Sequence, residues 1–257
     1  IRLSSAVVVL SSADPVRAYQ DFATLDGISG GRAELMVGRG SFIESFPLFG
    51  YSLEDYETLF TEKLDLLLAV RADETVTWSG THRAPIDGRG VYPRSVQDPL
   101  PVWIAVGGTP QSVVRAGALG LPLALAIIGG DPARFRPLTD LYRRALEEAG
   151  HDPATPLAVH AHGFVGDDDD EVAELIWPAY SAGMNRIGRE RGWPPLAKDQ
   201  YEWMRGPQGN LVMGSPTTVA EKIDVWRDLL GIDRFMLHGV GALPHERVLR
   251  SIELFGT

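Results

Sequence analysis

The chain has no cysteine, which removes disulfide frameworks, thiolate metal sites and cysteine nucleophiles together. It has no apolar run near the roughly 18–20 residues that a membrane-spanning helix needs. Positive charge is in short supply: 24 Lys and Arg face 34 Asp and Glu, a formal net charge of −10. With no basic tract to meet a polyanion, nucleic acid and anionic membrane are poor partners. Familiar catalytic signatures are also missing: no dinucleotide-binding or Walker loop, no His-Glu-x-x-His, and no recognisable strand-to-helix serine elbow.

What is present is ordinary for a globular protein. The 257 residues are 44% hydrophobic and 23% charged, enough to bury a core within one large domain. No linker or composition break divides them, so a single domain over 1–257 is expected, soluble and cytoplasmic. The chain opens at Ile1 inside an apolar run without an initiator methionine, which points to a fragment.

The hydrophobic pattern alternates between short β-branched runs and helical spacing. Strands are expected to begin near residues 3, 33, 102, 123, 157 and 234. Val7-Val8-Val9 and Val102-Trp103-Ile104-Ala105-Val106 read as strands buried on both faces. Asp14-Pro15, Thr109-Pro110 and Ser215-Pro216 read as helix caps with proline in the first turn. A long amphipathic helix is expected from Leu53 to Leu68, a small hairpin within 76–100, and an irregular excursion over 181–210. The order is α/β with parallel strands. Two architectures fit, an open doubly wound sheet or a (β/α)8 barrel lacking two units. Either places functional groups at the carboxyl ends of the strands.

Four groups of residues can carry chemistry. Gly38-Arg39-Gly40-Ser41-Phe42 ends a strand and projects one guanidinium, a group suited to phosphate; the plain alternative is a glycine turn with a surface arginine. Gly107-Gly108-Thr109 opens a helix, where free N–H groups attract anions; the alternative is a plain helix start. His160 and His162, two apart on one strand, share a face and read as interior histidines, as substrate or cofactor contacts, or as ligands of a metal for which no further ligand is apparent. The acidic run 167–171 is expected to complement a helix dipole rather than hold calcium. His245 reads equally as a helix-entry residue or a site residue.

Several blocks together resemble the bacterial luciferase-like flavin monooxygenase superfamily. They are Ser5-Ala6-Val7-Val8-Val9-Leu10, Asp14-Pro15-Val16-Arg17, Ala23-Thr24-Leu25-Asp26, Ser29-Gly30-Gly31-Arg32, and Gly38-Arg39-Gly40 with Phe46 and Phe49-Gly50. Ala118 to Pro122 and Val212 to Ile223 continue the likeness. The resemblance implies a (β/α)8 TIM-type barrel whose first two β/α units, with the expected catalytic histidine, precede Ile1. It implies FMN, or a deazaflavin in some branches, at the strand ends. Arg39, Gly107, Gly108 and Thr109 would then face the phosphate. Ala6, Val7, Gly38, Gly40, Ser41 and Phe42 would lie near the ring or the ribityl chain. A cis Ala6–Val7 peptide is implied too, where composition alone would have it trans.

The activity implied is a monooxygenase using reduced FMN from a separate NAD(P)H reductase, oxygen and a small organic substrate, in a homodimer. Phe42, Phe46, Trp103 and Trp193 suggest an apolar substrate. The alternatives are deazaflavin-dependent hydride transfer and a flavin-binding barrel without turnover. No metal is expected.

Overall fold

A computed structural model describes residues 1–40, 44–239 and 242–256. They form two compact units, Ile1–Gly107 and Gly108–Thr257. In the first unit the opening segment is a pair of short strands, β1 (Leu3–Ser4) and β2 (Val8–Val9), rather than one continuous strand. The cis Ala6–Val7 peptide lies between them. The three valines are half-buried, not enclosed on both faces. Both strands pair in parallel with β3 (Ala33–Gly38), which is buried along its whole length. On its other side β3 pairs in parallel with β6 (Val102–Val106). Glu34, 3% exposed within β3, lies 3.4 Å from the Arg2 guanidinium.

Helix α1 (Pro15–Ser29) forms where its punctuation says it should. Asp14 accepts from the N–H groups of Val16 and Arg17, Pro15 opens the helix, and Gly30 closes it at φ 68°, a left-handed conformation that glycine adopts without steric cost. Gly27-Ile28-Ser29-Gly30-Gly31 has the spacing of a serine elbow. It ends this helix instead of joining a strand to one, and the Ser29 hydroxyl donates to the Asp26 carbonyl at 3.3 Å. A short helix α2 (Ser45–Leu48) precedes α3 (Tyr56–Ala72). Leu53–Asp55, expected to begin α3, form a tighter 3-10 turn, with the Ser52 hydroxyl accepting from Glu54 N–H. The antiparallel strands β4 (Thr75–Trp78) and β5 (Ile86–Gly90) supply the expected hairpin.

In the second unit, α4 (Pro110–Ala118) leads to β7 (Leu123–Ala126), α5 (Arg136–Glu148) to β8 (Leu157–Val165), and the long α6 (Asp169–Arg191) follows. The 181–210 excursion is largely helical, holding the end of α6 and then α7 (Lys198–Arg205). A three-residue strand absent from the sequence reading, β9 (Val212–Gly214), comes before α8 (Pro216–Leu230). Strand β10 (Arg234–Gly239) and α9 (His245–Gly256) complete the unit. β7, β9 and β10 each pair with β8 in parallel. Parallel strands with intervening helices define the α/β class. No helix among the described residues is long and apolar enough to cross a membrane.

Two buried ammonium groups serve structure. Lys63 donates to the Ser11 carbonyl at 2.7 Å and sits 4.0 Å from the centre of the Tyr51 ring. Lys222 donates to the carbonyls of Arg205, Gly206 and Leu211 at 3.2, 2.6 and 2.7 Å. It thereby supplies donors where α7 ends. Burial depresses its pKa to about 8.

The start of α8 offers a modest test of capping. The Ser215 hydroxyl accepts from Thr218 N–H at 3.4 Å, and Ser215→Ala should cost about 1 kcal/mol. Chemical denaturation would read that loss, and an unchanged midpoint would mean that the long contact contributes nothing.

Candidate functional site

Within the first unit the site is built at the carboxyl end of β3. Gly40 has φ 85°, and a Cβ there would stand 2.8 Å from a Val9 methyl. Glycine is required on both counts, conformation and space. At Gly38 a Cβ would meet a Val7 methyl at 3.2 Å. The two glycines thus allow β2 to lie close against the end of β3.

Arg39 stands between them. Its guanidinium pairs with the Glu57 carboxylate on α3 and lies 5.1 Å from the centre of the Tyr56 ring. Tyr56 in turn donates to the Gly40 carbonyl at 2.9 Å, fastening α3 to the same turn. The Arg39 side chain keeps 18% of its surface exposed. A partly exposed guanidinium suits an anion, which would compete with Glu57 for it. Ser41 and Phe42 lie outside the described residues.

Gly107, the last residue of the first unit, is exposed, and a Cβ added there would meet nothing. Nothing in the fold requires glycine at that position, so its open space suits the approach of a ligand. The second unit starts with Gly108, at φ 126°, and Thr109, the cap residue of α4. The Thr109 side chain makes no capping hydrogen bond, unlike Asp14 and Ser215.

His160 and His162 do share one face of β8, and the register sets His238 of β10 beside His162. His160 Nε2 lies 3.1 Å from His238 Nδ1. The His162 ring is 5.2 Å from that of His238, and its Nδ1 is 3.3 Å from the Tyr180 hydroxyl on α6. Burial, reinforced by the neighbouring imidazoles, holds His160 and His162 down to about 4. Burial pushes the Tyr180 hydroxyl upward. Sequence reasoning missed His238 and Tyr180, because only strand register and helix packing bring them to the pair. No group of three potential metal ligands with suitable geometry occurs among the described residues.

The acidic run is absorbed by structure. Asp168 caps α6 by accepting from Asp170 and Glu171 N–H. Asp167 pairs with Arg250 and Glu171 with Arg247, each at 2.7 Å. Asp169 accepts from Ser215 N–H at 2.5 Å and from the Thr218 hydroxyl at 2.8 Å. These bonds hold its carboxyl below the usual range. His245 is the exposed first residue of α9, in keeping with helix entry. Of the aromatics expected to greet an apolar substrate, Phe46 and Trp103 are core residues at 0% and 3% exposure, whereas Trp193 is half exposed.

The parallel strands with intervening helices define an α/β chain, with a glycine-flanked arginine at the end of β3. The family follows from sequence: the model of the luciferase-like monooxygenase family matches residues 1–233. The chain belongs to this family of flavin-dependent oxidoreductases. Among solved structures it is similar to the monooxygenase RslO1 from Streptomyces bottropensis, at TM-score 0.83 and 25% identity, covering 99% of this chain and 76% of that one. The oxygenating constituent of 3,6-diketocamphane monooxygenase from Pseudomonas putida, in complex with FMN, matches at TM-score 0.69 and 19% identity, over 99% and 77% of the two chains. An F420-dependent secondary alcohol dehydrogenase matches at TM-score 0.76 and 18% identity, again over 99% and 77%. The last two likenesses speak to fold alone.

Proposed function

We propose that the chain is an FMN-dependent monooxygenase that uses reduced flavin and oxygen to oxidise a small organic substrate, within a (β/α)8 barrel. The observation that carries this reading is Arg39, held by α3 at the end of β3 with part of its guanidinium exposed. In this reading Arg39 binds the flavin phosphate. The Gly107–Thr109 turn offers N–H groups to an anion, and Gly107 leaves space for it to approach. Ala6, Val7, Gly38 and Gly40 would border the flavin. Ser41 and Phe42 keep the same assignment from the resemblance alone. When bound, the reduced flavin supplies the electrons that activate oxygen. The chain's own residues bind and orient it: Tyr56 fixes the turn through Gly40, and Glu57 holds the guanidinium in place until an anion takes it. A separate NAD(P)H reductase supplying reduced FMN, a homodimer and a cytoplasmic location complete the reading.

Arg39→Ala should weaken FMN by about 2–3 kcal/mol, the loss of a charge-assisted pair. Riboflavin, which lacks the phosphate, should bind both forms equally. Quenching of flavin fluorescence reads both affinities, and an FMN affinity unchanged by the substitution would remove Arg39 from the phosphate site.

The F420-dependent neighbour favours one second reading, hydride transfer with a deazaflavin. Anaerobic titration with each cofactor separates the two, and oxygen uptake with reduced FMN and substrate separates either from a carrier without turnover.

A further inference from the structure

The phosphate site leaves three imidazoles unused. His160, His162 and His238 gather on the β8–β10 pair, with ring centres 5.0 Å apart for His160 and His238 and 5.2 Å for His162 and His238. The His160–His238 contact joins two ring nitrogens, so one must donate and the other accept: it holds a single proton. Tyr180 occupies Nδ1 of His162. Each ring is thereby engaged through one nitrogen. For the other nitrogens, no described residue is a partner. Those of His160 and His162 are not among the sealed, unpaired polar atoms of the structure.

Among the described residues, those packed around the rings provide no counter-ion. β7 and β9, which flank β8, carry no titratable residue. From α6 the rings meet Tyr180, a hydroxyl that burial keeps protonated. From β10 they meet His238, while Arg234 stands at the far end of the strand, in register with Ala158. On α9, Arg247 and Arg250 are paired with Glu171, Asp167 and Glu253. His245 and Glu246, in the first turn of α9, are exposed. His160 and His162 are therefore collected beside His238 without a carboxylate among the groups that act on them.

We propose that a ligand supplies it: the cluster binds an acidic oxygen, a carboxylate or phenolate, of the organic substrate, and takes up one proton as that oxygen binds. Assigning the ligand as substrate rests on the monooxygenase reading, whereas the site itself does not. An anion among the imidazoles favours the charged ring and offsets the cost of burying it. When the ligand arrives as an anion, the proton comes from solvent and the new bond is one ring N–H; no other bond changes. A second proton is opposed by the first imidazolium about 5 Å away. A neutral ligand of the same shape gains a hydrogen bond without proton uptake.

Acetate and benzoate are suitable probes, with benzyl alcohol as the neutral comparison. Long-range proton–nitrogen correlation spectra report the tautomer and charge of each ring. Calorimetry near neutral pH, in phosphate and in Tris, reports the protons exchanged with buffer. Both carboxylates should shift the three rings towards imidazolium, with uptake approaching one proton, and benzyl alcohol should cause none. His238→Asn, at an exposed position that should tolerate change, should weaken benzoate about tenfold or more and abolish the uptake. Tyr180→Phe should release the tautomer of His162 while circular dichroism stays unchanged. Rings indifferent to millimolar carboxylate, binding without proton uptake, or full affinity in His238→Asn would each overturn the proposal. FMN binding is measured on the same samples. Responsive histidines without FMN binding would sink the flavin reading alone, and silent histidines beside bound FMN would sink this one.

Discussion

Between about pH 6.5 and pH 4 the protein should lose stability steeply. His160 and His162 have their pKa values held down to about 4, first by burial and then by the neighbouring imidazoles. In the unfolded chain they titrate near 6.5. Between these values the unfolded state binds protons that the folded state refuses. Stability therefore rises with pH across the window and falls as the medium is acidified through it. Each ring contributes on the order of 2–3 kcal/mol when the shift is fully expressed. Asp26 and Asp169 have lowered pKa values instead, so their contribution is lost only as the pH drops below about 3.8. Urea titrations at steps between pH 7 and 2 would separate the two windows. A flat profile down to pH 4, or one unaltered in the His160→Gln, His162→Gln double variant, would show that these rings are not buried as described.

An equally large loss is expected from Asp26→Ala, at a residue with no exposed surface. Its carboxylate accepts from Gln97 N–H at 2.8 Å, from the Gln97 side-chain amide at 2.7 Å and from Ala33 N–H at 3.2 Å. Burial raises its pKa, but these hydrogen bonds outweigh it and the net shift is downward. The group joins the end of α1, the segment before β6 and the start of β3. Truncation leaves several donors without an acceptor, at about 3–5 kcal/mol. Asp26→Asn preserves the shape but can supply only one acceptor oxygen, so it should fall between wild type and alanine. Chemical denaturation of the three forms gives that order. Equal stability of Asp26→Ala and wild type would mean that water replaces the carboxylate without penalty.

The sequence marks both of these sites unevenly, for physical reasons. β3, β6, β7, β8 and β10 each carry a short apolar run, a signal that survives without tertiary information. The helix starts at Asp14, Thr109 and Ser215 announce themselves through the proline that follows. β9 has three residues, too few to show a period, and it exists because β8 offers backbone partners from Gly163 to Val165. The excursion at 181–210 looks irregular through its glycines and prolines, yet Ile176, Tyr180, Tyr201 and Met204 bury a shared apolar cluster that makes helices of much of it. At the candidate sites, Arg39 and the His160–His162 pair are local features. Glu57 reaches Arg39, and His238 reaches His162, only after the chain has folded.

The pairing of Arg39 with Glu57 also fixes what arrival of a phosphate would mean electrically. A solitary guanidinium would be neutralised by its ligand, and the energy of that step would fall directly with added salt. In the proposed reading one anion would take the place of another. The incoming group would displace a carboxylate that is itself 49% exposed on α3 and can return to water at little cost. The strand end would then act as an ion exchanger, keeping its cation compensated with or without the ligand.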